Sequence, residues 1–497
     1  MQAPSNPADF RLALTGHLRW WGLRRFQSDD EYFKWQRESI PQPDLLQLNR
    51  LVEQKQTPTA GSTEEVAFYD HAARPPILPV IHSQQYDYYL TLGAAIAERI
   101  ADSQSVLDFG CGVGVLTTFY ASLFPDRSFV GIDRSAASIA AAQERASALG
   151  LNNIKFKCLD TEHPVSGGPH DLIVATHALL QTERDPGLPS RTWKTFERAH
   201  IPALQSAFEQ RTGLGTRLDW LARGGTVGGR LIVFEKARQL ARRIPLQRAL
   251  TARGFCPLEP PLPLRYMVVE ETVDDGPLYV LGRGADHISP WPWDERPEIS
   301  PGQDVYRCSG APAEFVLERL PSRTATDQKQ WVDAQLGQCN AELGHVGHVL
   351  TYLSVRIADQ FRGVAVAGRR SGTEALDQIW RELDHARLGP GPISEVLEKA
   401  WGNPSGHDAT GQTPLYENHT ESAQGIWSEL SERRVLRDQT REEGDGRQLH
   451  LELGSVEGLT YLYFANTFDQ RQLVVVETPR SALLAHYYEE LQQGADR

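Results

Sequence analysis

The stretch Ser105-Val-Leu-Asp-Phe-Gly-Cys-Gly-Val-Gly-Val-Leu116 limits the possible folds more than any other part of the chain. Val106 and Leu107 read as a short buried strand, and Asp108 is the first polar group at its carboxyl end. Gly110, Gly112 and Gly114 strip the side chains from the loop that follows. A strand that runs through such a loop into a helix is a nucleotide cradle at the mouth of a parallel sheet. A phosphate-gripping loop ends in Gly-Lys-Ser/Thr, and no Lys occurs here. A dinucleotide loop has its third glycine where this chain has Val115, which weakens that reading without excluding it.

Three further strand ends follow in series. Ser128-Phe-Val-Gly-Ile-Asp133 closes on an acid one helix and one turn after the loop, as a parallel crossover requires. Ile154-Lys-Phe-Lys-Cys-Leu159 ends at Asp160, and Asp171-Leu-Ile-Val-Ala-Thr176 ends at His177. The series resembles the class I S-adenosylmethionine-dependent methyltransferases, whose first motif is an acidic residue followed by Gly-x-Gly-x-Gly. The resemblance implies an α/β, Rossmann-like sheet with S-adenosyl-L-methionine as co-substrate. It implies that Asp108, Gly110, Gly112 and Gly114 form the cofactor loop, that Asp133 accepts hydrogen bonds from both ribose hydroxyls, that Asp160 reads the adenine amino group, and that His177 faces the substrate. It covers about residues 82–285, with Gly228-Gly-Arg-Leu-Ile-Val-Phe-Glu235 as a fifth strand. Two closing strands, Arg265 to Glu271 and Pro277 to Gly282, flank a turn expected at Asp274-Asp275-Gly276.

At 497 residues the chain exceeds one ordinary core. Residues 1–81 are expected to form a helical N-terminal extension or cap. Ser28-Asp-Asp-Glu31 is a capping box that starts a helix near Asp29. The stripe Arg19-Trp-Trp-Gly-Leu-Arg-Arg-Phe26 reads as aromatics that pack the cap onto the catalytic domain, in preference to a membrane or base-stacking surface. Ser83 is expected to cap a helix over Gln84 to Ile100, whose Tyr86, Tyr88 and Tyr89 are candidates for the methionine end of the cofactor or for seam packing. A long helix is expected over Thr192 to Arg211. Residues 286–305 form a Pro-rich linker.

Residues 306–497 carry an internal repeat, and with it an expected C-terminal α+β domain of two copies, about 314–388 and 425–495. Glu342-Leu-Gly344 recurs as Glu452-Leu-Gly454, Leu350-Thr-Tyr-Leu353 as Leu459-Thr-Tyr-Leu462, and Arg370-Ser371 as Arg480-Ser481. The copies are about seventy residues of strands and a helix, able to share one sheet by pseudo-two-fold pairing.

Net charge is −13 with no long Lys/Arg run, so no nucleic-acid partner is expected. Five cysteines without CxxC pairing read as reduced thiols. No signal peptide and no bilayer-length apolar run occurs, so a cytoplasmic protein without a membrane partner is expected. His345-Val-Gly-His348 with Cys339 lacks zinc-type spacing, and no metal site is assigned.

Methyl transfer from a sulfonium is an in-line displacement, in which the protein chiefly positions nucleophile, methyl carbon and sulfur. His177 is the leading candidate for a general base, with a structural His as the equal alternative, and His163 and Glu183 rank behind it. The leading expectation is transfer to an O, N or C nucleophile of a small-molecule metabolite. The alternatives are a protein or peptide substrate docked on the C-terminal repeats, aminocarboxypropyl transfer or cyclisation from the same cofactor, and a non-catalytic binding protein. A homodimer through the repeats is also open.

Overall fold

The computed structural model describes residues 7–55, 62–100, 102–159, 169–180, 185–283, 305–358, 361–369, 373–389, 392–402, 414–430, 432–442 and 447–494. It divides into two compact units, Met1–Leu188 with His200–Trp293, and Pro189–Ala199 with Asp294–Arg497.

In the first unit, eight strands form one sheet: β1 (Ser105–Phe109), β2 (Ser128–Asp133), β3 (Ile154–Cys158), β4 (His170–Thr176), β5 (Gly225–Phe234), β6 (Phe255–Pro257), β7 (Leu262–Val268) and β8 (Glu271–Arg283). The order is β3-β2-β1-β4-β5-β8-β6, with β7 paired to β8. β1 to β5 run parallel, and β8 is antiparallel to β5, β6 and β7. This is the Rossmann-like sheet expected from the sequence.

Both faces of its central strands are covered, which is why they read as continuous apolar runs. Val106, Leu172, Val174 and Ile232 pack on one side, with helices Tyr86–Ile100 and Val115–Leu123. Leu107, Ile173, Ala175, Leu231 and Val233 pack on the other, with helices Leu214–Gly224 and Leu240–Ala252. Strand order reverses between β1 and β4, and beyond the carboxyl ends of strands at such a switch point ligands bind.

The cap helix Asp29–Ser39 begins as its box predicts, the Ser28 hydroxyl accepting from the Glu31 N–H at 3.3 Å. Trp21 and Phe26 are buried, so much of the aromatic stripe is packing. Three local expectations give way to tertiary structure. Ser83 ends a separate helix, Leu78–Ser83, and its hydroxyl accepts from the Arg24 N–H instead of capping the helix Tyr86–Ile100. The hairpin turn lies at Val269 and Glu270, and Asp274 to Gly276 lie inside β8, where its register with β7 shifts in a bulge. The helix expected from Thr192 begins only at Pro202, and the residues before it make a bend and a turn over 191–194 with a bridge between Ser190 and Arg198.

The second unit holds two five-stranded sheets. The first contains β9 (Tyr306–Ser309), β10 (Arg323–Asp333), β11 (Gly337–Val346), β12 (Leu350–Ile357) and β13 (Phe361–Gly368). The second contains β14 (Tyr416–His419), β15 (Arg434–Glu442), β16 (Gln448–Val456), β17 (Leu459–Asn466) and β18 (Arg471–Glu477). The orders, β10-β11-β12-β13-β9 and β15-β16-β17-β18-β14, are identical, so the copies form two sheets and do not share one. Each copy opens with a strand and a helix, Ala311–Arg319 or Thr420–Glu429, so the correspondence reaches back to Tyr306 and Tyr416. A four-strand meander and a closing helix, Thr373–Leu388 or Ser481–Gly494, complete it.

The repeated motif has a physical cause. Gly344 lies opposite Tyr352 and Gly454 opposite Tyr461, where an added Cβ would meet the tyrosine hydroxyl at 2.8 and 2.5 Å. The bare glycine lets the ring cross the strand, and the hydroxyl donates to Glu342 or Glu452 two residues earlier.

Candidate active site

The three loop glycines all have positive φ, +77° at Gly110, +54° at Gly112 and +78° at Gly114. Two are also held by packing: an added Cβ would lie 2.5 Å from Ala178 Cβ at Gly110 and 2.9 Å from Phe156 at Gly114. At Gly112 it would meet nothing within 4 Å, so here the backbone is open to a ligand.

Asp133, at the end of β2, borders that opening. Its Oδ2 accepts from the Gly112 N–H at 2.9 Å and its Oδ1 from the Ser135 N–H at 2.8 Å. Each oxygen keeps a second lone pair for further donors. Burial pushes the Asp133 carboxyl up, and the Ser135 and Gly112 N–H groups oppose the shift. Asp108 is buried beneath the loop and accepts from the Thr117 hydroxyl at 2.5 Å. Burial raises its carboxyl to about 6 against that hydrogen bond. Asp108 therefore ties β1 to the helix Val115–Leu123. Asp160, His163 and Glu183 lie outside the described residues.

His177 leaves β4 in the left-handed region, φ +51°, with its N–H donated to Phe234 O at 2.8 Å. A non-glycine residue held there stores strain of a kind found at functional sites. Its ring stacks on Tyr88 at 5.2 Å between centroids and lies against Phe234 at 5.3 Å. Nε2 is buried and stands 3.0 Å from Asp275 Oδ2, at ion-pair distance but off the line of a hydrogen bond.

Asp275 also accepts from the Tyr266 hydroxyl. Burial pushes the Asp275 carboxyl up, but the His177 imidazole and the Tyr266 hydroxyl outweigh it, and the net shift is downward. A carboxylate therefore faces the imidazole. Glu235, at the end of β5, orders the loop after His177 by accepting from the N–H groups of Ala178 at 2.7 Å and Leu179 at 2.6 Å. Burial raises the Glu235 carboxyl, opposed by His177 and these N–H groups.

The structure thus brings Gly112 with Asp133 into one cradle, and His177 with Tyr88 into one cluster. Asp275 and Tyr266 were not singled out in the sequence. Asp275 reads there as a turn residue, and it reaches His177 through the pairing of β4 with β5 and of β5 with β8, with its carbonyl accepting from the Ala237 N–H. Among the described residues no group of side chains is arranged to hold a metal, and no helix is long and apolar enough to cross a membrane.

Known proteins resemble this unit. A family model described as a methyltransferase domain matches residues 100–217. Trans-aconitate 2-methyltransferase of Deinococcus radiodurans is 33% identical over 114 residues, 23% of this chain and 41% of that protein. A putative methyltransferase of invertebrate iridescent virus 6 is 32% identical over 81 residues, 16% of this chain and 29% of that protein. The chain thus spans less than half the length of these relatives. Among solved structures, the N-methyltransferase NodS of Bradyrhizobium japonicum with S-adenosyl-L-homocysteine is 16% identical with a TM-score of 0.27, over 39% of this chain and 85% of that one. That overlap is too low to add to the sheet order. The glycine cradle, the acid at the end of β2, the order β3-β2-β1-β4-β5-β8-β6 and the family match together identify residues 100–217 as part of a class I, S-adenosylmethionine-dependent methyltransferase domain.

Proposed function

We propose that the chain moves a methyl group from S-adenosylmethionine to an O, N or C nucleophile of a small-molecule metabolite, with His177 as general base. The pair His177–Asp275 at the sheet's switch-point side carries the reading. Gly112 and Asp133 would hold the cofactor, which supplies an electrophilic methyl group. Asp275 engages Nε2, which leaves Nδ1 of His177 to take the acceptor's proton, and the Asp275 carboxylate stabilises the imidazolium that forms. The stack of Tyr88 and Phe234 fixes the ring and limits water around it. The relative that methylates trans-aconitate supports a small-molecule acceptor. The cytoplasm, where S-adenosylmethionine is made, is the proposed compartment.

Methyl-labelled S-adenosylmethionine supplied to the purified protein with a cell extract tests this. Label among small molecules with release of S-adenosylhomocysteine is expected. Label in protein would replace the acceptor class, and release of methylthioadenosine without transferred label would replace methylation by aminocarboxypropyl chemistry.

A further inference from the structure

The two repeats treat one carboxylate differently. In the second, Glu452 is enclosed. It accepts from the Trp427 indole N–H at 3.0 Å and the Tyr461 hydroxyl at 2.7 Å, and it pairs with Arg433 at 3.2 Å and His450 at 3.5 Å. The indole lies 4.6 Å from the Tyr463 ring at 12°, with the Arg433 guanidinium 4.5 Å from its centroid. Burial pushes the Glu452 carboxyl up, but these partners outweigh it and hold it at about 2.

Strand register identifies the counterparts in the first repeat. Glu342 lies opposite Ser354 as Glu452 lies opposite Tyr463, and Gly344 opposite Tyr352 as Gly454 opposite Tyr461. Both outer strands carry a register shift at the same place, after Ala325 and after Val435. Arg323 then matches Arg433, Asn340 matches His450 and Leu317 matches Trp427. The aromatic shell is absent on this side: leucine stands in place of the tryptophan, serine of the tyrosine and asparagine of the histidine.

A cavity of about 450 Å³ lies beside Glu342 and Arg323, the counterparts of the two charged groups that flank the Trp427 indole, and Leu320, Ser322, Gln328 and Tyr352 also line it. Glu342 accepts from the Tyr352 hydroxyl and from Gln328 Nε2 at 2.7 Å, and among the described residues no cation is within ion-pair distance of it. The Arg323 guanidinium sits 5.8 Å from the Tyr352 centroid. Nearby on β11, Asn340 Oδ1 is buried without a hydrogen-bond partner among the described residues. A carboxylate with spare lone pairs, a guanidinium and a polar cavity remain where the sister repeat closes around an indole.

We infer that this cavity binds a small planar heteroaromatic ligand, which donates an N–H to Glu342 and lies against the Arg323 guanidinium as the indole of Trp427 does in the second repeat. The ligand supplies the ring and the donor that Trp427 and Tyr463 provide in the second repeat and that Leu317 and Ser354 do not. The site is separate from the methyltransferase cradle and does not depend on the function proposed for it.

The test uses 5-fluoroindole with the full chain, read by broadening of the fluorine resonance on titration. Wild type is expected to bind. Glu342→Gln, which removes the charge from the acceptor, is expected to weaken binding about tenfold. Leu317→Trp, which restores the indole of the sister repeat, is expected to abolish it. Absence of binding to wild type, or equal affinity in wild type and Glu342→Gln, overturns the inference, as does unchanged binding to a folded Leu317→Trp protein. Should Leu317→Trp fail to fold, the Glu342→Gln comparison decides alone.

Discussion

A methyl group added at Gly110 would meet Ala178 Cβ at 2.5 Å, whereas one added at Gly112 would meet no atom within 4 Å. The two substitutions therefore separate folding from binding. Gly112→Ala is expected to cost only the backbone term, about 1–2 kcal/mol, while cofactor affinity falls at least about tenfold. Gly110→Ala adds a clash with the loop after His177 and is expected to lower the melting temperature further. Calorimetric titration with S-adenosylhomocysteine and thermal melts of both variants check the split. At the other side of the site, His177→Ala is expected to lower kcat by about 10²- to 10⁴-fold if the acceptor needs deprotonation. Asp275→Asn should lower kcat in the same direction with cofactor affinity retained; both are read from initial rates and cofactor titration. The cofactor loop was legible in the sequence because glycine has few other uses in that density at a strand end. Asp275 was not, because its role comes from long-range sheet pairing that carries it to a histidine 98 residues earlier in the chain.

Elements were readable where their cause is local, as with the Ser28–Glu31 cap, and misread where it is distant. Residues 189–199 contain no helix because their partners lie in the second repeat. Trp193 stacks on His450 at 3.7 Å and 3°, and the fully buried Arg198 pairs with Asp469. The repeat itself was visible because a glycine, a tyrosine and a glutamate must recur together to build one cross-strand contact. Two helices of the N-terminal region carry a pH dependence. Burial lowers His17 to about 4, against the Val115 carbonyl, and lowers His82 to about 4. Their ordinary value is 6.5, so below it the unfolded chain binds more protons than the folded one. Their stabilisation is complete above pH 6.5 and is lost as pH falls from 6.5 through 4, on the order of 3 kcal/mol each. Denaturant titrations at pH 7 and pH 4.5 should show the loss, and His82→Gln should flatten it.

On the scale of the whole molecule, the chain crosses between its two units three times, at 188/189, 199/200 and 293/294. A cut in the Pro-rich connector therefore does not separate a methyltransferase from an appendage. A chain ending at Trp293 keeps residues 189–199 but lacks the partners that bury them. Trypsin is expected to cleave that shortened chain after Arg198, while the full chain, whose Arg198 side chain is 0% exposed, resists at the same bond. Mass spectrometry of the fragments checks it. Asp469→Ala in the full chain should expose the same bond, because removing one partner of a buried pair costs about 3–5 kcal/mol.

Protein synthesis gives this interlacing a time. Arg198 and Asp469 are 271 residues apart in sequence. At about 5–20 residues per second, a ribosome takes about 15–55 s to reach the second after the first. Every strand of the methyltransferase sheet, through Arg283, has been made well within that interval. Trp193 and the Arg198 guanidinium must wait in water, beside a sheet that can already close, until the last strands of the second repeat emerge. The segment 189–199 is thus among the last parts of the molecule to receive its structure, and a chain released before Asp469 never gives it one.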